Sequence, residues 1–159
     1  MTDLRDSPLG HATTWAEGRD PGLLFPVERA PLREELGLSA PLPFRGVDVW
    51  NCYELSWLDT RGKPEVAVAR FDVPADSPRI VESKSVKLYL TALNLVRFAS
   101  REDVVTTIGR DLSAATGASV AVVLQGRKRR RGVANWPASR WIRSRSRLST
   151  TPRTLGCSA

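Results

Sequence analysis

Glu82-Ser83-Lys84-Ser85-Val86-Lys87-Leu88-Tyr89 is the segment at which the chain passes from strand-like to helical spacing. Val86, Tyr89, Leu90, Leu93 and Val96 recur three or four residues apart and make one apolar stripe. A helix start exposes unpaired backbone N–H groups and the positive end of the helix dipole. Ser83 and Ser85 add hydroxyl donors, and either fits the N-cap. Lys84 and Lys87 add positive charge within a turn, so the segment suits an anion, phosphate above all. Glu82 stands beside this cationic cluster, where its carboxylate could accept two N–H bonds from the edge of a guanine-like ring. The plainer alternative is an ordinary capped helix with solvated lysines and a favourable acid at its start. Physics alone leaves both open.

Outward toward the C-terminus, Ser100-Arg101-Glu102-Asp103 resembles a capping signal for a second helix. Val104, Val105, Ile108, Leu112 and Ala115 form its stripe, and Gly117 is a plausible stop. Ser119 to Leu124 reads as a strand.

Outward toward the N-terminus, the pattern has period two. Val47, Val49, Tyr53, Leu55 and Trp57 are expected on one face of a strand, with Asp48, Trp50, Cys52, Glu54 and Ser56 on the other. Asp59 to Lys63 reads as a hairpin loop. Glu65 to Val73 is a second strand with Ala67 and Ala69 on one face, and Pro74 to Pro78 ends it. Residues 1–45 read as an extended arm with one short helix near Leu32 to Leu36, and Leu23 to Val27 as an anchor tucked into the body. Strand, strand, helix, helix, strand predicts an α+β module over 46–125, an antiparallel sheet with two helices on one face. A fourth strand should pair with the third, and nothing in 126–159 reads as one.

Composition bounds the function. The chain has 159 residues, 42% of them hydrophobic, enough for the core of one domain. No apolar run approaches the roughly 20 residues of a membrane span, and no signal peptide is visible. Two cysteines make no disulfide framework and suit a reducing cytoplasm. Net charge is +7, unevenly placed. Residues 1–125 carry 14 basic and 17 acidic side chains, net −3; residues 126–159 carry 10 basic and none acidic, net +10. The body therefore offers no electrostatic reason to bind nucleic acid.

All eight residues of Glu82–Tyr89 resemble the signature of the 7-cyano-7-deazaguanine reductases of queuosine biosynthesis, a tRNA-modification pathway. Leu23-Leu24-Phe25-Pro26, Leu42 to Asp48, Trp50-Asn51, Tyr53 to Leu58, Gly62-Lys63-Pro64, Val66 to Ala69, Ala75 to Pro78 and Arg110 to Ser113 are similar to the first half of the long, two-module form. The likeness covers roughly residues 9–124. It implies a tunnelling fold (T-fold), with subunits joined through sheet edges into homo-oligomers, and NADPH-dependent reduction of the nitrile 7-cyano-7-deazaguanine to an amine. By position it implies substrate contacts from Val81, Glu82 and Ser83, and NADPH contacts from Ser83 and Lys84. Lys87, Leu88 and Tyr89 receive no role.

The family's nucleophilic cysteine and its acid lie in the second module of the long form, and no such segment occurs here. No residue is therefore assigned a catalytic role, and the chain alone is expected to be inactive. Cys52 and Asp59 share the nucleophile-to-acid spacing, but the residues between them lack the pattern, so Cys52 reads as a structural cysteine. Cys157 lies in the tail with nothing to tune it. His11, the one histidine, cannot build a metal site.

The tail has three readings. Arg127 to Arg131, Trp136, Trp141 and the Arg/Ser alternation over 143–147 suit a shifted reading frame in a GC-rich gene. They also suit a basic RNA-binding arm, with arginine for phosphates and tryptophan for stacking, which would make the chain a reductase-derived binding module. The third reading is simple disorder.

Overall fold

The computed structural model describes residues 7, 8, 10, 12 and 18–125. The expectations placed on His11, Cys157 and the basic tail lie outside the described residues.

The two period-two segments form a long antiparallel hairpin, β2 (Val47–Leu58) and β3 (Pro64–Pro74), with β1 (Pro26–Glu28) before them. Its turn is closed by Asp59, whose carboxylate accepts from the backbone N–H groups of Arg61 and Lys63, both at 2.8 Å. Ala67, Ala69, Phe71 and Val73 of β3 point into the core, as their alternation requires. On β2 the expectation of one unbroken face is corrected. A bulge between Cys52 and Leu55 inserts one extra residue, and the inward set changes parity there. Before it Trp50 and Cys52 face the core, opposite Phe71 and Ala69; after it Leu55 and Trp57 do. Val47, Val49 and Tyr53 are left on the exposed face. Alternation alone cannot reveal such a slip, because apolar residues occupy both faces.

Two helices cover the core face. The first, α2 (Ser83–Ala92), follows α1 (Arg29–Glu35) and β4 (Arg79–Val81) in the chain and buries Val86, Tyr89 and Leu90 before tightening into a 3-10 turn at Leu93–Leu95. The second, α3 (Arg101–Thr116), buries Val104, Ile108 and Leu112. Ser100 caps it by accepting from Asp103 N at 3.0 Å, and Gly117, at φ 74°, ends it in the left-handed region. The returning strand β5 (Ala121–Gln125) pairs antiparallel with β3, so the sheet order is β2-β3-β5. The outcome is α+β with an antiparallel sheet, consistent with a T-fold-like module. Among the described residues no strand lies on the second edge of β5.

The anchor at Leu23 to Val27 does more than tuck in. β1 pairs antiparallel with β4, matching Pro26 to Val81 and Glu28 to Arg79. Leu24 and Val27 are buried, and α1 begins three residues before the helix expected near Leu32. This small second sheet delivers the chain to the start of α2.

Candidate functional site

Glu82 is the last extended residue before α2, with φ −67° and ψ 140°. Its backbone N–H donates to Phe25 O at 2.9 Å, continuing the β1–β4 pairing. Its side chain then folds over the helix start. Oε1 accepts from Lys84 N at 2.7 Å and from the Ser83 hydroxyl at 3.2 Å. Oε2 accepts from Ser85 N at 2.7 Å. The Ser85 hydroxyl donates to Glu82 O at 2.6 Å and accepts from Phe25 N at 3.1 Å.

This corrects one expectation. The N-cap is Glu82, neither Ser83 nor Ser85, because the two-carbon stem lets one carboxylate reach both orphan N–H groups. At the helix start, two of the N–H groups, those of Lys84 and Ser85, already bind an internal anion, the Glu82 carboxylate. Glu82 is 8% exposed, a buried carboxylate saturated on its inner side by three donors. Ser83 is exposed beside it. Val81 is buried in the core. Lys84 is half-buried, and its Nζ donates to Pro8 O at 2.7 Å. The four consecutive residues singled out by sequence thus differ in what they can offer: a buried apolar side chain, a buried carboxylate, an exposed hydroxyl and a tethered ammonium.

A cleft of roughly 350 Å³ opens between the β2 bulge and α2, lined by Trp50, Cys52, Glu54, Phe71, Ser83 and Lys87 among others. Sequence reading missed it because the bulge forms its wall. A larger groove of roughly 930 Å³ runs beside α1, past Arg33, Phe44, Arg45 and Asp76, and shares no lining residue with the first. The smaller cleft is the one that the Glu82–Tyr89 segment borders. Within it, burial pushes the Cys52 thiol up, and a hydrogen bond from the Glu54 backbone offsets this in part. A raised thiol is mostly protonated at neutral pH and is a poor nucleophile. Asp59, in the exposed turn, is held low by backbone N–H groups, that of Lys63 foremost. Among the described residues no group of three His, Cys, Asp or Glu could hold a metal ion, and no helix is long and apolar enough to cross a membrane.

A second polar cluster lies behind α2. Asp111, 5% exposed, accepts from the Tyr89 hydroxyl at 2.6 Å and from both Nε and Nη2 of Arg19, at 2.7 and 2.5 Å. Burial would raise the Asp111 carboxyl, but the bonds from Arg19 and Tyr89 overcome it and hold the group below the usual carboxylate range. Tyr89 is pushed well up, first by burial and then by the Asp111 carboxylate. The sequence carried a signal for this cluster: Asp111 falls on the buried stripe of α3 beside Ile108 and Leu112, where an acid needs a partner.

The family described as "Nitrile reductase, 7-cyano-7-deazaguanine-reductase N-term" matches residues 15–124. The chain is 58% identical over 118 residues to the NADPH-dependent 7-cyano-7-deazaguanine reductase of Burkholderia mallei (strain SAVP1), covering 74% of this chain and 43% of that protein. It is 59% identical over the same length, with the same coverage, to the protein of that name from Burkholderia ambifaria (strain AMMD). The chain therefore spans less than half the length of the curated relatives it matches.

Proposed function

The chain belongs to the family of 7-cyano-7-deazaguanine nitrile reductase N-terminal modules, and from that we propose that it serves NADPH-dependent reduction of 7-cyano-7-deazaguanine to the amine as a binding half. The observation that carries this is the Glu82 carboxylate, held at the α2 N-cap by Lys84 N and Ser85 N with little freedom to reorient. An ionised carboxylate has about four acceptor positions, so three internal donors leave capacity for a ring N–H. Charge-assisted bonds of this kind are strong and directional, which suits recognition of a purine-like edge. Ser83 would add its exposed hydroxyl, and Val81, with its side chain in the core, would contribute through its backbone. Ser83 and Lys84 would meet the phosphates of NADPH, the Lys84 ammonium exchanging its Pro8 carbonyl for a phosphate oxygen. NADPH, when bound, supplies hydride; the residues here bind and orient.

In this reading the catalytic cysteine comes from outside the described module, since the Cys52 thiol is half-buried and raised. The module assembles through its sheet edges, β5 being the candidate, and works in a reducing cytoplasm. Calorimetric titration of the full chain with 7-cyano-7-deazaguanine tests the proposal. Binding that falls at least tenfold in Glu82→Gln supports it; an unchanged dissociation constant refutes the role of Glu82. The chain alone should not consume NADPH with the nitrile. Consumption that disappears in Cys52→Ala would make Cys52 the nucleophile and overturn the binding-half reading.

A further inference from the structure

Glu82 is held from two sides, and both lead to one carboxylate. On one side is the N-terminal segment. Phe25 accepts from Glu82 N through its carbonyl and donates its own N–H to Ser85 Oγ, so it brackets the cap. Phe25 follows the 3-10 turn Pro21–Leu23, and the turn follows Arg19 and its N-cap Asp20. On the other side is α2 itself, whose one buried phenol, Tyr89, lies about two turns after Glu82. Arg19 and Tyr89 both end on Asp111 of α3.

We propose that Asp111 is a positioning residue for the Glu82 carboxylate, acting through Arg19 on the N-terminal segment and through Tyr89 on α2. The geometry suits the task. Arg19 makes a two-point contact, which fixes orientation as well as distance. Tyr89 is fully buried, so its hydroxyl has no water to exchange with and the bond cannot be replaced cheaply. Arg19 keeps about a third of its side-chain surface exposed, so the segment side of the clasp is the weaker one and the first to loosen. Arg110, 3.5 Å from Asp111 and largely exposed, is too distant and too solvated to take over the two-point contact. That this positioning serves ligand binding rests on the reading of Glu82 under the proposed function; the positioning itself does not.

The test separates the two. In the full chain, hydrogen exchange of the Glu82, Lys84 and Ser85 amides reports the cap directly, and the Ile108 and Leu112 amides of α3 serve as the internal reference. Arg19→Ala should speed exchange at the three cap amides about tenfold or more while the α3 amides keep theirs. Arg19→Lys, which keeps charge but loses the fork, should fall between. Tyr89→Phe, which leaves the ring packed, should loosen the same amides by a smaller factor and provides the second route should Arg19→Ala fold poorly. Equal acceleration in α3, or no change at the cap, would reduce Asp111 to a general stabiliser and overturn the inference. Titration with 7-cyano-7-deazaguanine is run beside it. A wild-type chain that binds nothing counts against the proposed function, while the exchange pattern still decides the positioning.

Discussion

The starts of α2 and α3 solve the same problem in different ways. Ser100 caps α3 with a short hydroxyl at the surface, and Glu102 and Asp103 in the first turn complement the dipole. Arg101 opens that helix with a positive charge, but the two acids that follow it outweigh the charge, and the start asks for no explanation beyond stability. At α2 the cap is a buried glutamate, no acid follows it, and Lys84 places positive charge in the first turn, where the dipole disfavours it. A helix start that breaks local rules, yet is tied down by Phe25, Ser85 and a buried clasp, marks a place where something other than helix stability is being specified.

Substitutions separate the roles of the two helix starts. The largest effect should come from Ile108→Ala in the fully buried stripe of α3, about 2–5 kcal/mol of unfolding free energy in urea melts, with cap exchange and ligand affinity unchanged below the transition. Glu82→Ala should cost less stability, about 1–2 kcal/mol by the same measurement, because it frees two backbone donors. It should also remove binding of 7-cyano-7-deazaguanine; full retention of binding would make the α2 start an ordinary cap. Ser100→Ala should cost about 1 kcal/mol or less and leave ligand binding untouched, and a loss of binding there would erase the distinction between the two starts.

The smallest effect is in pH dependence. The Asp111 carboxyl is depressed in the folded chain, so its stabilisation is present above the unfolded carboxylate range and is lost as pH falls through the folded value. Tyr89 is raised, so its contribution is full below about pH 10 and declines as pH rises beyond it. Tyr89→Phe should therefore flatten the alkaline limb of the stability profile and shrink the acid limb without removing it, because Arg19 still bonds Asp111, followed by denaturant midpoints from pH 3 to 11. Glu82 and Ser100 variants should leave the alkaline limb as it is.

Much of this was legible beforehand, and the exceptions share a cause. The stripe of α3, the Ser100 cap, the Gly117 stop and the β2–β3 hairpin follow from contacts within a few residues, which periodicity records. The bulge at Cys52–Leu55 was not legible, because apolar residues on both faces of β2 hide a change of parity. The pairing of Pro26 with Val81 was not, because strands of three residues carry no pattern. Asp111 left a trace as an acid on a buried stripe, but its partners stand 22 and 92 residues away.

By itself, the sequence determined the order of the long elements, the uneven charge and, through Glu82–Tyr89, the family. These are local or compositional properties, and nothing distant can alter them. Tertiary structure alone decided how the motif is used: which residue caps α2, which of Val81 to Lys84 is buried, and what holds Glu82 in place. Each of those depends on whether a side chain reached water or another chain segment first, and only the packed fold brings Phe25, Arg19 and Asp111 within reach.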